Sequence, residues 1–248
     1  MARPELPPGS RSIDLNCLGE PDRALDKPHF TGVIDVLGPF LDANPSASLL
    51  DIGCSLGGFL QQLRARWPQL RCTGIDVLPQ VVEYARGLQP GVDLRVGDVL
   101  DPKTLPRNQD IVTMLGVHSI FDEPLVWLEG ALSAGTPQVR LVIFGLFNPE
   151  DVDTLVRVRR SGPGTPGEWQ SGWTLWSRRT VEAGLRERGL WWRWTALAPP
   201  RTVSRWSEDP LHSWSTEVDG QQRLINGSQL IHQHAVLEIA RCAPGGGT

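Results

Sequence analysis

Asp51 and Asp76 are the residues whose placement points most directly to chemistry. Asp51 lies in Leu49-Leu50-Asp51-Ile52-Gly53-Cys54-Ser55-Leu56-Gly57-Gly58-Phe59-Leu60, an apolar run of strand type that stops in a small-residue turn just before a helix pattern begins. Twenty-five residues on, Asp76 ends a second strand-like run, Cys72-Thr73-Gly74-Ile75-Asp76-Val77. Two carboxylates at neighbouring strand ends, one beside a glycine turn, suit a ligand with an ammonium group at one end and a ribose diol in its middle.

Two other glycine motifs compete for the same turn. The dinucleotide fingerprint G-x-G-x-x-G aims bare backbone amides at a pyrophosphate. Here Ser55 stands at its middle glycine, and Asp51 would set negative charge beside a phosphate. Gly53-Cys54-Ser55-Leu56-Gly57 also reads as G-x-S-x-G, the nucleophile elbow of α/β-hydrolases. That elbow follows a central strand with several strands before it. Fewer than fifty residues precede it here, many of them Pro, Gly or charged.

Taken in order and spacing, the pattern resembles the class I S-adenosylmethionine-dependent methyltransferases. Asp51, Gly53, Ser55 and Gly57 fit that family's D-x-G-x-G-x-G loop, with Ser55 in place of a glycine. The likeness covers about residues 45–145 well and the rest in outline. It implies S-adenosyl-L-methionine as cofactor. The methionine moiety would be held by Asp51 and the loop Gly53, Cys54, Ser55 and Gly57. The ribose would meet Asp76 and Val77, and the adenine Asp98 and Val99 of Gly97-Asp98-Val99. Leu115 and Gly116 would form the floor beneath the sulfonium.

The elements that must position these groups alternate along the chain. A helix is expected from about 29 to 41, with Val33, Ile34, Leu37 and Leu41 on one face. Strands follow at about 48–53, 71–76, 92–96, 111–115 and 139–144, with helices after residue 58 and over 79–88 and 123–133. A further helix over 178–188 and strands at 190–197 and 234–240 complete the set. Such alternation predicts an α/β, Rossmann-like three-layer sandwich on a seven-stranded, mostly parallel sheet. Right-handed crossovers bring the strand carboxyl ends to one rim, where ligands bind.

Residues 29–243 are thus expected to form one domain, between a loose arm over 1–28 and a flexible tail over 244–248. Two insertions, about 147–177 and 199–230, interrupt the pattern and read as a two-part cap. Asp219-Gly220 and Asn226-Gly227 in the second are hairpin-turn pairs.

With 248 residues the chain can bury a full α/β core. A net charge of −4 offers no general attraction to nucleic acid or anionic membranes. Cys17, Cys54, Cys72 and Cys242 show neither C-x-x-C pairing nor a metal-ligand rhythm, which suits reduced thiols. Neither a signal-peptide core nor an apolar stretch of the ~20 residues a membrane span needs is present. A cytoplasmic protein is expected, with no membrane or nucleic-acid partner and no metal.

Methyl transfer from a sulfonium is an in-line displacement, so the protein's task is alignment and exclusion of water. A hydroxyl or amine acceptor must also lose a proton, which one base near the methyl can take. His118, in Leu115-Gly116-Val117-His118-Ser119, leaves the fourth strand where that base is wanted. A histidine that bonds backbone and holds its loop is the other reading. Asn148 follows the fifth strand and serves either the acceptor or the turn before Pro149.

The N/D-P-P-Y/F signature of base and glutamine amide methylation is missing, as is the proline-cysteine pair of cytosine C5 enzymes. Eight of ten tryptophans lie between residues 169 and 214. Core packing, a lid over a small molecule (with Trp173 and Trp176 as substrate contacts) and an interface for a second copy or a protein partner all fit. The second half also bears a weak likeness to bacterial methyltransferases acting on cell-surface sugars or specialised metabolites. The expectation is methyl transfer to a small-molecule hydroxyl or amine. The alternative is a cofactor-binding, catalytically inactive partner subunit.

Overall fold

The computed structural model describes residues 11–19, 21–159, 161, 167–197, 202–205 and 213–244. Its α-helices and strands run in chain order as follows. Helices α1 (Pro21–Leu25) and α2 (Phe30–Ala43) lead into β1 (Ser48–Ile52), α3 (Gly58–Arg66), β2 (Arg71–Asp76), α4 (Pro79–Leu88), β3 (Asp93–Val96) and β4 (Gln109–Leu115). Next come α5 (Leu128–Ala134), β5 (Gly135–Asn148), β6 (Arg157–Val158), β7 (Gln170–Ser171), β8 (Trp176–Ser177), α6 (Arg178–Glu187) and β9 (Trp191–Leu197). Strands β10 (Trp214–Val218), β11 (Gln221–Ile225), β12 (Ile231–His232) and β13 (His234–Ala240) complete the series.

The main sheet runs β3-β2-β1-β4-β5-β13-β9, with short β8 paired to β5 as an eighth strand. Pairs from β3 to β5 are parallel, and β13 joins β5 and β9 antiparallel. Every residue of β1 is buried, Ser48 and Asp51 included, as in a strand covered on both faces. Alternate side chains serve two cores. Leu49 and Cys72 pack with α2, α3 and α4 around Leu37, Phe59 and Val81. Leu50, Ile52 and Ile75 face Trp127, Leu128, Val181 and Leu185 of the α5 and α6 layer.

The expected helix over 123–133 is shorter. A 3-10 turn occupies His118–Ile120, and α5 starts only at Leu128. Pro124 disfavours helical backbone at Glu123. The loose arm expected over 1–28 is corrected from residue 11 onward. Ser12–Leu18 forms a 3-10 helix and α1 follows at once. Leu15, Cys17, Leu18 and Leu25 pack against the first core, so apolar burial orders a segment whose composition reads as loop. Residues 1–10 and 245–248, where the rest of the arm and most of the tail were expected, lie outside the described residues.

Both insertions carry small sheets. In the first, β6 and β7 pair antiparallel, and a bridge joins Thr154 to Leu175. In the second, β10-β11-β12 form a meander. Asp219 and Gly220 both have positive φ (51° and 70°), the two-residue turn their pairing predicts. Asn226-Gly227 does not make such a turn. Its loop runs over residues 226–230, Gln229 takes the left-handed position (φ 62°), and Asn226 Oδ1 accepts the Ser228 N–H at 3.0 Å.

Glu238 pins the antiparallel end of the sheet. It is buried on β13 and accepts hydrogen bonds from Arg193 Nε (2.8 Å) on β9 and Arg140 Nη2 (3.2 Å) on β5. Glu238→Ala strips its bonds to Arg193 and Arg140 and should lower stability by about 2–3 kcal/mol, less than twice the worth of one such bond (about 1.5–3 kcal/mol) because both arginines reach solvent. A urea midpoint within experimental error of the parent's would remove that role.

Candidate functional site

A cavity of about 500 Å³ opens along the carboxyl ends of the parallel strands. Gly53 and Ser55 after β1, Asp76 and Val77 after β2, Asp98 and Val99 after β3, and Leu115 and Gly116 after β4 all line it. Eight of the residues expected to meet the cofactor are therefore on one wall. The same cavity continues past β4 to Phe144 and Leu146 on β5, His234 on β13 and Trp173 of the first insertion.

The turn after β1 has a shape few residues permit. Gly53 is left-handed (φ 73°), and a Cβ there would stand 2.3 Å from Val117 Cγ2. Ser55 also has positive φ (50°), the conformation that a third family glycine would adopt without strain. Asp76 locks this turn: the Ser55 N–H donates to its Oδ2 at 3.1 Å, and the Leu78 N–H to its Oδ1 at 3.1 Å. Burial pushes the Asp76 carboxyl up to about 6 despite those bonds.

Three expected cofactor contacts stand behind the wall rather than on it. Asp51 is 2% exposed and accepts the Thr113 hydroxyl at 2.7 Å. Burial pushes its carboxyl up to about 7. Cys54 is buried beneath the turn against Gly74, and Gly57 is the left-handed residue that opens α3. These shape the loop from below.

His118 does not face the cavity, which corrects its reading as base. It is 1% exposed, lies flat over Gly145, and stacks on Phe147 at 4.2 Å. Nε2 lies 3.2 Å from the Leu146 carbonyl and so carries the proton; Nδ1 has no partner. Burial lowers its pKa to about 4. The 3-10 turn at 118–120 swings the ring away from the rim into the second face of the sheet.

Asn148 is corrected as well. Its Oδ1 accepts the Glu150 N–H (3.1 Å) and its Nδ2 donates to the Val152 carbonyl (2.8 Å), a closed turn away from the cavity. Trp176, 7% exposed, packs in the α5 and α6 core beside its strand partner Phe147 and does not contact a substrate site. Trp173 does line the cavity, held there because the Thr174 N–H bonds the Ser119 carbonyl at 2.7 Å.

The rest of the wall comes from residues without a motif. Arg11, 5% exposed, grips Asp14 with Nε (3.0 Å) and Nη2 (2.6 Å), donates Nη1 to the Gly172 carbonyl (3.1 Å), and covers the Trp173 ring at 4.7 Å. It clasps the amino-terminal segment to the first insertion. Lys27 enters the same cavity; burial lowers its pKa, while Cys17, Asp51 and Asp76 counter that shift. His29 stacks on Phe144 at 4.0 Å, and His234 meets Phe144 edge-on at 4.8 Å. Burial lowers His234 to about 3 and His29 well below the usual imidazole range, so both rings are neutral at pH 7. Nothing in the sequence marked them beyond their residue type.

The other tryptophans have partners. Trp191, Trp192 and Trp194 lie under Arg193, Arg186 and Arg178, and Trp214 under Arg205. Trp169 is 61% exposed beneath Arg159, and Trp206 lies outside the described residues. Among the described residues no group of three or more metal-ligating side chains is present, and no helix is long and apolar enough to cross a membrane.

Residues 49–132 match the family described as methyltransferase domain. Trans-aconitate 2-methyltransferase of Mycolicibacterium gilvum (strain PYR-GCK) is 34% identical over 98 residues, 39% of this chain and 38% of that protein. The chain thus matches under two-fifths of that relative's length. Among solved structures, the DhpI-SAM-HEP complex aligns over 96% of this chain and 99% of its own at TM-score 0.58 and 17% identity. SAM-bound CalS10, an amino pentose methyltransferase from Micromonospora echinaspora involved in calicheamicin biosynthesis, aligns over 97% and 100% at TM-score 0.53 and 19% identity. At such identities the likeness is one of fold. Residues 49–132 thus match a methyltransferase domain, and the fold, the glycine turn and the strand-tip acids agree with that match.

Proposed function

We propose that this protein transfers the methyl group of S-adenosyl-L-methionine to a hydroxyl or amine of a small molecule. The observation that carries the reading is the single cavity joining Asp76 and Asp98 at one end to His29, His234 and Trp173 at the other. When bound, the cofactor supplies a methyl on a good leaving group. The residues present suit it: Gly53 leaves room that a side chain would fill, Asp76 offers carboxylate lone pairs to a diol, and Asp98 and Val99 offer a polar and an apolar contact to a base.

The chain's own contribution is alignment and a dry site. Leu115, Val117 and Phe144 wall the middle of the cavity, and the segment clasped by Arg11 covers it. The acceptor end is largely apolar and aromatic, with the neutral His29 and His234 and the polar Ser213 and Asn226, and Asp35 of α2 also lines the cavity. Arg11 there is committed to Asp14 and to backbone carbonyls. This favours an acceptor that is uncharged at its reacting end, such as a sugar or other specialised metabolite. The amino pentose specificity stated for CalS10 and the carboxylate substrate named for the Mycolicibacterium relative are two acceptor chemistries found on related folds. The reading as an inactive partner subunit draws nothing from the tryptophans, most of which pack internally or lie under arginines.

The test is incubation with methyl-labelled S-adenosylmethionine and a small-molecule extract, followed by identification of the labelled product. Cofactor binding without any labelled product, across fractionated extracts, would overturn the proposal. Asp76→Ala should weaken S-adenosylhomocysteine binding by about 1.5–3 kcal/mol, the worth of a charge-assisted hydrogen bond. Because burial raises Asp76 to about 6 and its carboxylate form is the one that accepts hydroxyls, affinity should fall as pH drops through that value. At pH 5 calorimetry should read a dissociation constant weakened about tenfold, one unit of protonation. His118→Asn should lower thermal stability, by about 1–3 kcal/mol. Its transfer rate should stay near the parent's, and a loss of turnover with an unchanged melting point would restore His118 as a base.

A further inference from the structure

Ser213 and His232 stand on the second cap, away from every group assigned to the cofactor. Ser213 lines the acceptor end of the cavity. His232, 4% exposed on β12, lies behind it: Ser213 Oγ is 2.8 Å from His232 Nε2, and His232 Nδ1 is 3.0 Å from the Leu230 carbonyl. A carbonyl can only accept, so Nδ1 carries the proton and Nε2 presents a lone pair. The Ser213 hydroxyl must therefore donate to Nε2. Both lone pairs of Oγ then remain for a donor in the cavity. Asn226 completes the corner. The register Trp214↔Ile225, carried one step further, sets Ser213 opposite Asn226, which also lines the cavity. Asn226 Oδ1 is held by the Ser228 N–H and hydroxyl, which turns the Asn226 amide nitrogen toward other partners.

We propose that Ser213 and His232 form a proton relay that receives the proton of the hydroxyl or amine being methylated. The relay rests on the methyl-transfer reading above. An electron pair of the acceptor oxygen or nitrogen forms the bond to the methyl carbon, and the carbon–sulfur pair departs with sulfur. The acceptor's proton passes to Ser213 Oγ as the serine's own proton passes to His232 Nε2. Serine ends as a hydroxyl, and histidine ends as an imidazolium still bonded to Leu230, from which the proton leaves to solvent.

Burial lowers the His232 pKa, with the Leu230 carbonyl opposing, so the ring rests in the neutral, receptive form at pH 7. Of the groups around it, His234 has its ring 6.0 Å away and is itself neutral. On β11 the partner residue is Leu224; Arg223 beside it projects to the other face and bonds Gln221. Glu217 on β10 is paired with Gln222, remote from the Leu224↔His232 pair.

The test uses Ser213→Ala, His232→Gln, His232→Gly and the Ser213→Ala/His232→Gln double variant with methyl-labelled S-adenosylmethionine and the extract fraction that the parent labels. Each single variant should lose on the order of 10²–10⁴-fold in turnover, the span of general-base catalysis, and the double variant no more than the worse single. Calorimetric affinity for S-adenosylhomocysteine should stay within about twofold, and added imidazole should restore turnover to His232→Gly. Nitrogen-15 spectra of histidine-labelled parent protein should show His232 protonated at Nδ1. Undiminished variants alongside an active parent, or an Nε2-protonated His232, would overturn the relay alone. A parent that binds cofactor and labels nothing would overturn the methyl-transfer reading with it.

Discussion

Everything at the rim depends on a carboxylate held in apolar surroundings at the tip of β2. Asp76 is tied by two backbone N–H groups, one from the turn after β1 and one from Leu78 just ahead of α4. Those bonds join three elements at a point and give Ser55 the geometry that its positive φ alone would make costly. Yet two neutral donors do not cancel the cost of burying charge, which is why the carboxyl is raised. Asp51, one strand over and deeper, is raised further. The free site is thus short of positive charge, and Lys27 from the amino-terminal segment supplies part of it. A cationic, hydroxyl-rich ligand would supply more.

Cover and floor come from different levels of the fold. The floor is local: strand ends, glycine turn and helix starts follow one another within 49–116. The cover is assembled from residues far apart, joined by Arg11. Its guanidinium spans from Asp14 to Gly172, 161 positions away from Arg11, and lies on Trp173. Closing so long a loop costs entropy. That cost is offset by apolar contacts of Leu15, Cys17 and Leu18 with the first core.

That division explains what could be read from the sequence. Parallel strands announce themselves as largely apolar runs, and their acids and glycines fall at fixed offsets, so β1, β2 and the residues their ends bring to one cavity were legible. His118 was not, because its role depends on which way a three-residue turn rotates. One turn places its ring over Gly145 and under Phe147 instead of in the cavity. The same holds for Trp173 and Trp176, three apart and alike in type: the first faces the cavity and the second enters the core. Residues 11–28 looked like linker because they continue an arm rich in Pro, Gly and charge, whereas burial of a few apolar side chains orders the described part of them. Ser213 and His232 carry no motif at all. Only the pairing of β10 with β11, and of β11 with β12, brings them to 2.8 Å.

The charges in the cavity then account for where a base can stand. Asp76 and Asp98 stand at the cofactor end, whereas His29 and His234 at the other end are kept neutral by burial. An imidazolium on the wall would oppose a sulfonium a few ångströms away, since unscreened charges interact strongly in such surroundings. His232 avoids this by standing behind Ser213, neutral until the acceptor gives up its proton. In the proposed transfer sulfur is left uncharged, and in the same step the relay makes His232 positive. One buried positive charge is exchanged for another, and the site's total is unchanged. A base placed directly on the wall and protonated at rest would add a second positive charge before the reaction, which explains why the neutral, recessed histidine suits this cavity.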